Sequence, residues 1–258
     1  MATTYLDRIL QHHRARAADD HRDLDSLIDE ARTRPPTRGF RSALLEARGL
    51  GVIAEIKRRS PSKGDLNIDL DPATLAASYA AGGASCLSVL TDVDHFGGSV
   101  TDLQAARDAC ALPVIRKDFT VSELDVVDTR LMGADCVLLI AAALTGDELA
   151  RFHARALAIG LDALVEIHDE GELRRALDVG ATLIGVNQRD LVTFEVDHER
   201  AVRMAGAIPE SAIKVAESGV RGGADARSLE LAGYDAILVG ETLVTSADPR
   251  ATLAELIG

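Results

Sequence analysis

VIAEIK (52–57), LPVIRKD (112–118), ALVEI (163–167), LIGVNQRD (183–190), IKVAESG (213–219) and AILVGE (236–241) are built alike. Each is an apolar run that ends abruptly in charged or polar residues, and each is followed by a helix-like stretch. Burying Glu, Lys, Asn or Arg without partners is costly. The cost vanishes if the strands are all parallel and their carboxyl ends meet on one wet face. That is the plan of a (β/α)8 TIM barrel, an α/β fold whose functional face is made by the loops after the strands. The alternation continues on either side of these segments. Strands are expected near 52–57, 85–90, 113–117, 135–140, 163–167, 182–187, 213–217 and 236–240. Helices are expected near 72–81, 99–110, 122–132, 146–159, 169–179, 197–206, 223–232 and 248–256. Eight βα units without a linker favour a closed barrel over an open doubly wound sheet. GGAS (82–85), MGAD (132–135), VGAT (179–182) and AGYD (232–235) each put Gly just past a helix end, where a left-handed residue is needed. They support the count of units rather than closure.

Upstream, residues 3–18 and 22–32 read as helices, apolar at Tyr5, Ile9, Leu24, Leu27 and Ile28 among charges. RTRPPTRG (32–39) breaks the pattern, and 41–48 gives a short third helix. Residues 1–48 are therefore expected to be a helical extension of one barrel domain spanning 1–258. The hydrophobic content of 47% is ample for a large core, and the length of 258 residues suits one barrel.

The net charge of −13 disfavours nucleic acid and anionic membranes as partners. An anionic small molecule would need a local basic patch. Only four lysines are present, Lys57, Lys63, Lys117 and Lys214, and two of them sit at expected strand ends. Cys86, Cys110 and Cys136 form no CxxC pair, which points to a reducing compartment. With no apolar leader at the N-terminus and no run of membrane-spanning length, a cytoplasmic location is expected. The seven histidines make no HExxH or clustered metal pattern, and no GxGxxG, Walker loop or serine elbow appears. His168 directly follows a strand, where a turn or helix-start role is expected.

Parity narrows the site. Alternate strand residues face opposite sides. One consistent choice turns Glu55, Lys57, Lys117, Glu166, Asn187, Arg189 and Glu217 into one opening, with Ala54, Ile56 and Arg116 facing the helices. A purely structural layer at the same height would be apolar. Lys214 lies toward the start of its strand and reads as structural. Glycines in ESG (217–219) and VGE (239–241), after the last two strands, suit a phosphate held by backbone N–H groups. The candidates there are Ser218, Gly219, Gly240 and Glu241, with helix starts expected directly after each pair and Lys57 as the nearest cation.

AEIKRRSPSKG (54–64), SVLTD (88–92), FGGS (96–99), PVIRKDF (113–119), DCVLLIAAAL (135–144), LVEIHDE (164–170), GVNQRDL (185–191), AESG (216–219) and LVGETL (238–243) stand in this order. Together they resemble the indole-3-glycerol-phosphate synthase family of tryptophan biosynthesis, from about residue 3 to the C-terminus. The resemblance implies a small anionic substrate, 1-(2-carboxyphenylamino)-1-deoxyribulose 5-phosphate, and no metal or organic cofactor. It implies Lys117 as general acid for ring closure, with a nearby Lys57 or Arg189 easing its proton loss. Lys57 would meet anionic groups of the substrate, and Glu166 would serve the later acid–base steps. Glu55 and Glu217 would orient lysines or hydroxyls, and Asn187, Arg189 and Ser60 would bind the ligand. Phe96 and Phe119, with Leu138 and Leu238, would flank its aryl ring. Gln188 and Glu241 depart mildly from the usual family residues. Two rival readings are a Schiff-base aldolase with Lys117 as nucleophile, separable by borohydride trapping, and a non-catalytic scaffold, which would need none of the seven polar strand ends.

Overall fold

The computed structural model describes residues 4–190 and 192–258. Eight parallel strands close into a barrel: β1 (Gly51–Ile56), β2 (Cys86–Leu90), β3 (Val114–Lys117), β4 (Cys136–Ile140), β5 (Asp162–Ile167), β6 (Leu183–Asn187), β7 (Ile213–Glu217) and β8 (Ala236–Val239). Neighbours in sequence are neighbours in the barrel, and β1 pairs with β8 through Gly51–Ala236 to Ala54–Val239. The expected strands fall within a residue or two of these.

Period-two burial divides the apolar residues into two cores. Val52, Ala54 and Ile56 of β1, Val165 and Ile167 of β5, and Ile184 and Val186 of β6 pack outward under the helices. Ile53, Ile115, Leu138, Leu164, Leu183, Val215 and Leu238 fill the barrel interior. The inner column then changes character toward the carboxyl ends. Past Ile53 comes Glu55, past Ile115 comes Lys117, past Leu164 comes Glu166 and past Val215 comes Glu217. In the register Asn187 stands opposite Glu217, and Gly185 opposite Glu166.

Three helices precede β1: α1 (Tyr5–Ala18), α2 (Leu24–Thr33) and α3 (Phe40–Leu45). Phe40 and Leu44 of α3 join the inner core and stopper the amino-terminal end of the barrel. α3 is shorter than the 41–48 expected, and the helix expected over 197–206 reduces to Arg200–Met204 followed by a 3-10 turn. Helix starts follow their capping chemistry. Asp71 caps a helix opened by Pro72, and Ser122 with Asp125 and Thr145 with Glu148 form reciprocal capping boxes. The glycines expected past helix ends are left-handed at Gly83, Gly133, Gly180 and Gly233.

Three short elements were not anticipated: a hairpin of Arg59–Ser60 with Gly64–Asp65, helix Val93–Phe96 and the 3-10 turn Ala141–Ala143. All lie in loops after strands and are too short to carry a hydrophobic period. Among the described residues no helix is long and apolar enough to cross a membrane.

Candidate active site

A cavity of about 480 Å³ opens at the carboxyl ends of the strands. All seven polar residues singled out by parity line it: Glu55, Lys57, Lys117, Glu166, Asn187, Arg189 and Glu217. So do Ser60, Phe96, Phe119, Leu138, Leu238, Ser218, Gly219, Gly240 and Glu241.

The floor is an ion cluster. Lys117 Nζ lies 2.8 Å from Glu166 Oε2 and 3.3 Å from Glu217 Oε2. Lys57 Nζ donates to Glu55 Oε1 at 2.5 Å, and Ser88 Oγ donates to the other Glu55 oxygen at 3.3 Å. Asn187 Nδ2 donates to Glu166 Oε1 at 2.9 Å, while Asn187 Oδ1 accepts from the Arg189 amide at 3.0 Å. Glu55, Glu166 and Glu217 are all buried. Burial alone would pull the Lys117 ammonium down, but Glu166, then Glu217 and Glu55, outweigh it and hold the group well above the ordinary lysine value. This corrects the expectation that Lys57 or Arg189 would ease its proton loss, because carboxylates and not cations are its near neighbours. Burial works against ionised Glu166 too, yet Lys117, His168 and Asn187 hold it below the usual carboxylate range. Glu217 goes the other way. Burial first, then Glu166 and Glu55, push it up to about 7 despite Lys117.

Above the floor, the Phe96 and Phe119 rings stand 6.3 Å apart between centroids, tilted by 41°. Leu138 and Leu238, of the inner core, also line the cavity. The roof was not foreseen. Tyr5, Leu6 and Ile9 of α1 reach the cavity, and Tyr5 meets Phe194 edge-on at 5.3 Å. Lys63, Arg221 and His198 also line it. Lys63 and Arg221 stand in loops after β1 and β7, and the apolar pair Tyr5–Ile9 was the one sequence signal for α1.

Beyond β7 and β8 the backbone is shaped for close approach. Ser218 and Gly219 are both left-handed, with φ of 66° and 76°. For a serine that is uncommon. Gln188, one of the departures from the family pattern, fixes the turn by donating to the Ser218 carbonyl at 2.8 Å. Since the peptide is planar and trans, the Gly219 N–H points the opposite way. A Cβ on Gly240 would fall 2.4 Å from Glu55 Oε1 and 3.1 Å from Lys57 Nζ, so a larger residue there would strike the Glu55–Lys57 pair itself. Helix Glu241–Val244 starts directly after Gly240. After Gly219 the expected helix start is displaced, and the helix begins only at Gly223. The Glu241 carboxylate lies 3.5 Å from Lys63 Nζ and 3.9 Å from Arg189 Nη2 at the rim.

Lys214 donates to the Ala205 carbonyl at 3.0 Å, away from the cavity. Arg116 faces the helix layer, where it pairs with Asp118 at 2.9 Å and bonds Thr91 and the Asp125 carbonyl. His168 does sit at a helix start, bonded to Glu172, but its Nε2 also lies 3.7 Å from Glu166 Oε1. Sequence separation hid one cluster, His13, Asp92 and His95, whose ligand-type atoms lie within 4.8 Å of one another. Arg16 donates to His13 Nδ1 at 3.2 Å, which leaves Nε2–H to donate to Asp92 at 2.9 Å. In that tautomer the Nδ1 lone pair is taken up by Arg16, so His13 and Asp92 form a hydrogen-bonded clasp.

Residues 6–256 match the family model described as indole-3-glycerol phosphate synthase. An indole-3-glycerol phosphate synthase 2 of Streptomyces coelicolor is 51% identical over 232 residues, covering 90% of each chain. Indole-3-glycerol phosphate synthases of Rhodococcus jostii and Mycolicibacterium smegmatis are 50% and 48% identical, over 98% and 99% of this chain and 95% and 94% of theirs. Among solved structures, a thiamine phosphate pyrophosphorylase from Pyrococcus furiosus superposes with a TM-score of 0.60 at 17% identity, over 80% of this chain and 93% of that one. That likeness concerns the barrel alone. Sequence and barrel together place the chain in the indole-3-glycerol phosphate synthase family.

Proposed function

We propose that the cavity closes the ring of 1-(2-carboxyphenylamino)-1-deoxyribulose 5-phosphate, releasing CO2 and water and giving indole-3-glycerol phosphate for tryptophan biosynthesis. The reaction sets four demands. A ketone oxygen must be protonated as an aryl carbon attacks it, a ring carboxylate must be held and then lost, a hydroxyl must leave with acid assistance, and a phosphate must be anchored.

One observation carries the reading: a partly buried ammonium, Lys117, is held charged between two carboxylates in a cavity also lined by a pair of aromatic rings. Such a group can donate a proton to a ketone and take it back in turn. The aldolase alternative needs a neutral amine as nucleophile, and three carboxylates oppose that form of Lys117. Lys57 meets the anionic substrate once its contact with Glu55 loosens. Glu166, ionised beside Lys117, accepts the later proton, and Glu217 and Glu55 orient the two lysines. Asn187, Arg189 and Ser60 take polar parts of the open-chain sugar. Phe96 and Phe119 flank the aryl ring, with Leu138 and Leu238 behind it. The phosphate rests on the amides of Ser218, Gly219, Gly240 and Glu241, with Lys57 as a cation on that side. We also place the enzyme in the cytoplasm, where the three free thiols stay reduced.

Indole fluorescence on mixing the chain with the carboxyphenylamino-deoxyribulose phosphate tests the reading directly. Substrate-dependent indole formation supports it. No product, or a borohydride-trapped adduct on Lys117, overturns it in favour of a different chemistry.

A further inference from the structure

His168 is the residue after β5, and its side chain is absent from the cavity lining. It lies in the wall behind Glu166. Its backbone N–H and its ring Nδ1 both face Glu172 Oε2, at 2.7 and 3.1 Å, and Glu172 stands in the first turn of the helix Glu170–Asp178. A carboxylate at that distance keeps a proton on Nδ1. The other ring nitrogen, Nε2, is buried without a hydrogen-bond partner, and the nearest acidic atom is Glu166 Oε1 at 3.7 Å. A neutral ring protonated on Nδ1 would turn a lone pair toward that carboxylate. An imidazolium turns an N–H toward it instead.

Resting on the reading that Glu166 is the acid–base group of the later steps, we infer that His168 is a positioning residue for Glu166: an imidazolium bridging Glu172 and Glu166 through the barrel wall, which keeps Glu166 ionised and its Oε2 turned to Lys117. The two oxygens of Glu166 then have distinct surroundings. Oε2 meets Lys117 at 2.8 Å, and Oε1 meets the Asn187 amide at 2.9 Å with His168 beyond. Other charges around the ring agree. Burial opposes the charged imidazole, Glu172 and Glu166 outweigh burial and raise its pKa, and Arg200, bonded to the Asn187 carbonyl at 2.9 Å, works weakly against them.

The linkage is reciprocal, so it can be read from both ends. In imidazole NMR titrations, the His168 ring should lose its proton at lower pH in Glu166→Gln than in the unaltered chain, because one of its two carboxylates is gone. Kinetically, His168→Gln keeps a polar side chain and removes the charge. Without that charge Glu166 binds its proton more tightly, so the acid limb of the kcat profile moves to higher pH. The acid limb should move up by about one to two pH units, and the two profiles should converge at alkaline pH. Glu172→Gln should move the limb the same way, and adding it to His168→Gln should cost little more. Identical His168 titrations with and without the Glu166 carboxylate, or a kcat profile of His168→Gln that superimposes on the original, would overturn the inference. The same variants separate it from the reading beneath it. Full activity in Glu166→Gln removes Glu166 from the mechanism, whereas a crippled Glu166→Gln beside an unchanged His168→Gln profile removes His168 alone.

Discussion

Glu217 shows how one side chain records the charge balance of the whole site. Lys57 and Lys117 face Glu55, Glu166 and Glu217, leaving one negative charge in excess in a buried space. The excess is relieved on the carboxyl with the poorest support. Glu217 Oε1 has no hydrogen-bond partner, and it fits only because Gly185 on the neighbouring β6 has no Cβ, which would lie 2.0 Å away. Its pKa of about 7 stands above the ordinary 4.5. A raised folded-state value means that protonation stabilises the fold. That contribution is complete below about 4.5 and is lost as pH rises through about 7. Glu217→Gln cannot ionise and so escapes the loss. Denaturant unfolding should find it more stable than the unaltered chain by about 1–3 kcal/mol near pH 8.5 and no more stable below about pH 4. An equal difference at both pH values would contradict the assignment. Parity alone was enough to turn Glu217 inward. It could not say which of three carboxylates keeps a proton, because that depends on distances among strands far apart in the chain.

At the scale of elements, α1 is the part whose purpose the sequence concealed. Tyr5 and Ile9 among charges announce a helix with one apolar face, but not where that face goes. In the structure it roofs the cavity, with Tyr5, Leu6 and Ile9 turned inward. It is fastened on several sides, by the buried His13–Asp92 bond of 2.9 Å to the loop after β2 and by Arg14 to Glu148 at 2.8 Å. The helix brings apolar surface and none of the ionisable floor. Removing residues 1–18 should therefore raise KM by about tenfold or more, the loss of one or two buried apolar contacts. kcat should change less than the KM does. Steady-state kinetics on the shortened chain with a circular-dichroism control checks this, and an unchanged KM would mean that α1 only covers core. The loop elements were illegible for a plainer reason. A two-residue hairpin strand or a four-residue helix spans barely one period of any pattern, whereas the barrel strands and their helices carry several.

For the molecule as a whole, the decisive information was directional. Apolar runs that all turn polar at the same end specify parallel strands and one functional face, and both the closed barrel and its single ring of polar ends follow from it. The inner apolar column with α3 beneath it leaves the carboxyl-terminal mouth as the wet end. In a chain of net charge −13, an anion settles where oriented amides and a few cations are gathered. Lys57, Lys63, Arg189 and Arg221 all line this mouth. Crystals grown in phosphate or sulfate should show the anion against the amides near Ser218–Gly219 and Gly240–Glu241. An anion bound at the amino-terminal end instead would overturn the orientation of the site.

The role of Lys117 is the claim on which the account turns, and one comparison tests it most directly. Steady-state indole-glycerol-phosphate formation by Lys117→Ala should show kcat lower by about 10²–10⁴-fold, the range of a positioned acid, with KM changed far less. The variant should bind the substrate in its cavity and fail to close the ring. Turnover near that of the unaltered chain would contradict the account, because the ammonium between Glu166 and Glu217 would then be an ion pair of the fold and not the proton donor.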